Sequence, residues 1–224
     1  MDKESKNIEK KLQSIMSKDV IIQKAFEFHL KGNIHEASKY YQIFINKGFK
    51  DHRVFLNSAE ILKDLGRLED AEIWIKRAIE LKPDYAIAFN NLGNILRAKN
   101  KLKEAESCYC KAVKLDPDFT KAYYNLSTLT STDNNKTWQK KLFSQNFLNN
   151  KSKKDQFNIF FARANIFHNR KNFKESAECL KLANQLKVTS YRDTLLKECC
   201  NRFIYKGCRD LLDTNLDLIG FTNG

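Results

Sequence analysis

Apolar residues recur along this chain at intervals of three and four residues, which is the spacing of one face of an α-helix. Between residues 18 and 119 these segments repeat every 34 residues without a gap, and each repeat contains two of them. The 224 residues include only seven Gly and two Pro. So few helix breakers argue against a sandwich or a barrel, which needs many tight turns. The pattern therefore predicts an all-α fold made of helix pairs.

Six sequence columns keep similar residue types at this 34-residue interval. They are Ala25, Ala59 and Gly93; Gly32, Gly66 and Asn100; Ile34, Leu68 and Leu102; Glu36, Asp70 and Glu104; Ala37, Ala71 and Ala105; and Tyr41, Ile75 and Tyr109. Small residues on two paired helices let the backbones approach closely. Gly66 suits the left-handed conformation that closes a helix, and Pro83 and Pro117 end the second helix of their repeats. The columns thus predict where each helix begins, packs and ends.

These columns resemble the tetratricopeptide repeat, whose period and pattern they match. The resemblance implies a right-handed superhelical solenoid of antiparallel helix pairs. We predict an N-terminal amphipathic helix at 1–17, three repeats and the first helix of a fourth at 18–131, a modified helix or linker at 132–156, a degenerate repeat with a capping helix at 157–205, and a weakly structured tail at 206–224.

A further column consists of Asn57, Asn91 and Asn125, on the first helix of successive repeats. First helices line the inner surface of such a solenoid, so these amides would form a ladder there. An amide has one acceptor and two donors, which lets it bind the backbone of an extended peptide. In the repeats of protein O-GlcNAc transferases, which these copies resemble, such a column holds a peptide. The alternative is that each Asn caps or bridges neighbouring helices, and the sequence leaves both open.

Helix geometry adds further candidate residues to this inner groove. They are Arg53, Glu60, Lys63, Asn90, Asn94, Arg97, Lys121, Tyr124 and Thr128. Their mixed polar character with a basic excess favours an extended or acidic peptide as the ligand. The whole chain has a net charge of +13, which also raises the possibility of nucleic acid as a partner. That alternative predicts an affinity that falls steeply with salt, and we expect it less.

The sequence offers no pattern that is typical of an active site. Its four His have no acid or metal ligand at a catalytic spacing, and no Gly-rich phosphate loop is present. We therefore expect a protein that is not an enzyme and that uses no cofactor or metal. No apolar run reaches the roughly 20 residues that cross a bilayer, and the first residues lack the apolar core of a signal peptide. We expect a cytoplasmic protein without a membrane partner.

The order of segments also resembles the N-terminal part of bacterial proteins in which such repeats precede a sulfotransferase domain, especially those of marine cyanobacteria. The resemblance rests on residues 25–34, 40–55, 160–167 and 180–186. In that family a phosphate-binding loop of the type G-x-P-R-[ST]-G-[ST] follows. The present sequence lacks this loop, so we expect no transferase activity from it. The leading prediction is a scaffold or adaptor that binds a peptide segment in its groove; the alternative is the docking half of a sulfotransferase or glycosyltransferase system.

Overall fold

The computed structural model describes residues 16–129 and 137–186, and its regular elements in these ranges are helices. The chain divides between Leu129 and Thr130 into two compact units. Unit 1 contains α1 (Lys18–Leu30), α2 (Ile34–Asn46), α3 (His52–Asp64), α4 (Leu68–Leu81), α5 (Ala86–Ala98), α6 (Leu102–Leu115) and α7 (Thr120–Ser127). Unit 2 contains α8 (Thr137–Leu142), a 3-10 helix (Gln145–Leu148), α9 (Lys153–Asn169) and α10 (173–186). The predicted all-α class is confirmed.

Unit 1 is built from consecutive helix pairs. Helices α1 and α2, α3 and α4, and α5 and α6 pack against each other, and α7 packs on α6. Successive pairs join through α4 on α5, while α3 also touches α5 directly. This arrangement brings the first helix of each pair beside the first helix of the next. The predicted solenoid of antiparallel helix pairs is therefore present in this unit.

The turn inside each pair has a left-handed residue, as the sequence column predicts. Gly32, Gly66 and Asn100 have φ values of 72°, 75° and 58°. Gly adopts this conformation without steric cost, and Asn tolerates it better than most other residues. In unit 2, Lys171 has φ 61° between α9 and α10. This position continues the column with a shift of three residues, so the turn between α9 and α10 has the same left-handed conformation.

Close packing inside a pair is clearest between α5 and α6. Gly93 lies on α5 with its Cα facing the ring of Tyr109 on α6, and a Cβ atom added to Gly93 would lie 2.5 Å from Tyr109 Cε1. Tyr109, Ala105 and Ala71 have no exposed surface. The small-residue columns thus make room for a large side chain of the facing helix rather than only for the backbone.

Unit 2 has a core around Trp138, Leu142 and Phe147, which are nearly fully buried. The guanidinium of Arg163 on α9 donates to the carbonyl oxygen of Leu142 at 2.8 and 3.0 Å and thereby holds the end of α8. Helix α9 begins at Lys153, earlier than the predicted repeat start at 157. The reason is a local cap, because Ser152 Oγ accepts from the backbone N–H of Asp155 at 3.1 Å.

Several predictions fall outside the described residues. These concern residues 1–15 of the predicted amphipathic helix, the part of the predicted segment 157–205 that follows residue 186, and the predicted tail at 206–224. Among the helices that the structure describes, none combines the length and apolar character that crossing a membrane requires.

Candidate functional site

A polar depression lies on unit 1 where the first helices α3, α5 and α7 come together. Its volume is about 320 Å³, including space open to solvent, and we call it the depression. It is lined by Ala59, Glu60, Lys63, Asn91, Asn94, Ile95 and Lys121. The polar members of this set were all predicted as groove residues. The structure therefore brings part of the predicted groove together in one place.

The repeat explains why these side chains meet. Glu60 and Lys63 are three residues apart on α3, as Asn91 and Asn94 are on α5, and residues at this spacing share one face of a helix. Glu60 and Asn94 are also 34 residues apart and occupy the same place in adjacent repeats. Ala59 and Ile95 supply apolar contact surface between the polar side chains.

The charges of the depression are unequal. Lys63 Nζ lies 2.8 Å from Asp64 Oδ1 on the same helix, so its charge is partly balanced. Lys121 makes no ion pair within the described part of the chain. Glu60 is the only carboxylate among the lining residues. The depression consequently has a small positive excess, and Lys121 is its least compensated charge.

The Asn column does not form a ladder of equivalent amides. Asn57 Nδ2 donates to Tyr41 Oη at 2.9 Å. Asn91 lies in the depression, whereas Asn125 is buried and its Nδ2 donates to Asn90 Oδ1 at 2.8 Å. For Asn125 the structure favours the alternative of a bridge between helices, because this bond joins α7 to α5.

The burial of Asn90 and Asn125 corrects the expectation that both face an open groove. They are only 1% and 3% exposed. Buried amides need hydrogen-bond partners, and these two satisfy each other across the α5–α7 contact. Both residues therefore lie behind the depression rather than on its surface.

The other predicted groove residues lie outside the depression. Arg53 pairs with Asp51 at 2.9 Å and stacks over the ring of Phe26. Arg97 donates to Thr128 Oγ1 at 2.9 Å and so links α5 to the end of α7. Tyr124 is half-buried on α7. These side chains contact neighbouring residues on the helices, and they are not among the residues that line the depression.

Sequence reasoning missed the role of Tyr109. The repeat column contains Tyr109 but predicts no role for its hydroxyl, which donates to Asn94 Oδ1 at 2.9 Å. Burial raises the pKa of Tyr109 to about 12, so the hydroxyl keeps its proton and remains a donor at neutral pH. A possible signal was the Tyr41, Ile75, Tyr109 column, in which only two members have a hydroxyl.

The described residues contain no group of three or more His, Cys, Asp or Glu that is arranged to hold a metal ion. His29 and His168, which share a repeat position, have local partners instead. His29 Nδ1 lies 3.0 Å from Tyr41 Oη, and the His168 ring packs edge-on against Phe173. The chemistry that the depression offers is therefore hydrogen bonding and charge attraction.

Comparison with known families gives a match in the centre of unit 1. Residues 52–118, from the start of α3 to the turn before α7, match the family model described as tetratricopeptide repeat. In sequence, these residues are therefore similar to tetratricopeptide repeats. A search among curated proteins gave no match. The family match supports the helix-pair repeat directly in the part of the chain that forms most of the depression.

Solved structures with a tetratricopeptide-repeat fold extend the likeness. A tetratricopeptide repeat protein from Parabacteroides merdae is 20% identical, with 81% of this chain and 70% of that chain covered and a TM-score of 0.57. The MamA protein is 16% identical, with 78% and 94% covered and a TM-score of 0.55. An O-GlcNAc transferase of Thermobaculum terrenum is 20% identical over 51% of this chain, with a TM-score of 0.48. The present chain spans only 22% of that transferase. At these identities the likeness concerns the fold.

Proposed function

We propose that this protein is an interaction scaffold whose depression binds an extended, acidic segment of a partner protein. The observation that carries the proposal is the composition of the lining, in which two Lys and two Asn side chains surround a single Glu. Amide and ammonium groups recognise carbonyl and carboxylate oxygens. The repeat fold supports a scaffold, because stacked helix pairs leave a broad surface open to a partner.

Charge gives the preference for an acidic segment. Lys121 is exposed and unpaired among the described residues, and Lys63 shares its charge with Asp64 alone. A carboxylate placed between these two ammonium groups gains attraction from both. Such contacts on an open surface are each worth about 0.2–1 kcal/mol, so we expect a weak complex, closer to a millimolar than to a micromolar dissociation constant.

The test uses a fluorescein-labelled octapeptide of alternating Glu and Gly, called the acidic probe, and its Gln–Gly counterpart, called the neutral probe. Fluorescence anisotropy of the full chain at low ionic strength measures both affinities. We expect the acidic probe to bind more tightly. Reversing a charge with Lys121→Glu weakens acidic-probe binding about tenfold, since one attraction is replaced by a repulsion.

Lys103→Glu is the matched control, because Lys103 is exposed on α6 and does not line the depression. It changes the net charge by the same amount. Equal loss in both variants would mean that the acidic probe responds only to the overall charge. Absence of binding by the unaltered protein would reject the proposed site.

A further inference from the structure

The two amides of the depression are both connected to buried groups behind it. Asn94 Oδ1 accepts from the Tyr109 hydroxyl at 2.9 Å. Asn91 Oδ1 accepts from Asn90 Nδ2 at 3.4 Å, and Asn90 Oδ1 in turn accepts from Asn125 Nδ2. Each lining amide thus has its oxygen directed to an interior donor.

The interior donors have little freedom to change this arrangement. Tyr109 has no exposed surface, and its ring is enclosed against Gly93. Turning the Asn90 amide alone would place its NH₂ group against the NH₂ group of Asn125 and its oxygen against Asn91 Oδ1, and this would break both hydrogen bonds. Leaving a buried polar group without a partner costs about 1–3 kcal/mol. The orientation of Asn90 is therefore coupled to that of the buried Asn125, and it sets the side on which Asn91 accepts.

We infer that Tyr109 and Asn90 are positioning residues that turn the Asn91 and Asn94 amides so that both present N–H donors to the depression. This inference rests on the proposed function of the depression. Together with Lys63 and Lys121, the amides make the surface rich in donors, with Glu60 as its one carboxylate. The depression therefore selects hydrogen-bond acceptors, which are main-chain carbonyl and carboxylate oxygens of an extended acidic peptide.

The Tyr109 hydroxyl provides the sharpest test, because Tyr109→Phe removes one oxygen and keeps the ring that fills the space beside Gly93. We expect this variant to bind the acidic probe about threefold to tenfold more weakly, which corresponds to the usual range for one hydrogen bond. Asn94→Ala has a similar effect. The double variant binds no more weakly than either single variant, because the hydroxyl acts only through the amide.

Tyr41→Phe is the matched control. Tyr41 occupies the same column in the first repeat, and its hydroxyl bonds His29 and Asn57, which do not line the depression. We expect its probe affinity to equal that of the unaltered protein. The melting temperature of each variant, measured by circular dichroism, separates loss of orientation from loss of folding.

The outcomes are distinct. Additive effects of Tyr109→Phe and Asn94→Ala, or an unchanged affinity in Tyr109→Phe, would overturn the positioning role while leaving probe binding by the depression intact. An equal loss in Tyr41→Phe would have the same meaning, since it would point to general destabilisation. If the unaltered protein bound neither probe, the proposed function would fail and this inference with it.

Discussion

Replacing Gly93 by Ala places two opposing effects at one position. In a helix interior, Ala is more favourable than Gly by about 1 kcal/mol, so propensity alone predicts stabilisation. The added Cβ, however, would lie 2.5, 2.7 and 3.0 Å from three carbon atoms of the Tyr109 ring. Carbon atoms prefer about 3.5–4.0 Å, and the ring is fully buried.

Overpacking of this kind costs about 1–3 kcal/mol. After subtraction of the helix propensity, we expect Gly93→Ala to lower the free energy of unfolding of unit 1 by about 1 kcal/mol. Urea unfolding followed by circular dichroism at 222 nm measures this difference. The equivalent position in the preceding repeat is Ala59, in the column that pairs with Ile75.

The preceding repeat supplies both the control and the rescue. Ala59→Gly removes a Cβ at a position that has room for it. Because Gly has a lower helix propensity than Ala, this variant should lower the free energy of unfolding by about 1 kcal/mol. In a Tyr109→Ile background, which copies the Ala59 and Ile75 combination, Gly93→Ala should stabilise by about 0.5–1 kcal/mol. The steric explanation fails if Gly93→Ala changes stability with the same sign and size in both backgrounds.

Two further predictions concern turns and charges. Gly66→Ala should lower the free energy of unfolding by about 1 kcal/mol, because residue 66 has a φ of 75°. Asn100→Gly, at the same turn position of the next repeat, should leave the stability unchanged or raise it slightly. Urea unfolding measures both effects. Glu72 bonds Lys76 and Lys99 at 2.7 and 2.8 Å, which lowers its pKa from 4.5 to about 2. The contribution of Glu72 to the free energy of unfolding is therefore present above about pH 4.5 and is lost as the pH falls towards 2. Between pH 5 and 3, the Glu72→Gln variant should consequently lose less stability than the unaltered protein. An equal loss of stability in both proteins would contradict this.

The sequence predicts the scaffold well because the scaffold depends on local and periodic features. The left-handed turns at Gly32, Gly66 and Asn100 and the buried Ala columns follow from residue size and backbone conformation alone. Each repeat places the same column in the same setting, so one argument holds for every copy. The clustering of Glu60 and Asn94 at one surface follows from the same period.

The roles of the individual amides could not be predicted in this way. Asn57, Asn91 and Asn125 share a column, yet Asn57 donates to Tyr41, whereas Asn91 accepts from Asn90 and Asn125 donates to Asn90. The partners of Asn57 and Asn125 lie in other helices, and the identity of those partners breaks the period. Asn125 is buried because the residue at position 90 is also an amide that can accept its hydrogen bond.

The Tyr and Ile alternation in the second helices therefore links core packing to the depression. Ile75 has no hydroxyl that could donate a hydrogen bond to Glu60. In the next repeat, the hydroxyl of Tyr109 donates to Asn94, which occupies the same position as Glu60. Tyr109 can occupy its position only because residue 93 is Gly. A Cβ at position 93 would displace the ring and with it the hydroxyl that holds Asn94. We therefore expect Gly93→Ala to weaken acidic-probe binding by about as much as Tyr109→Phe, and intact affinity in a destabilised Gly93→Ala protein would show that the ring position does not control the amide.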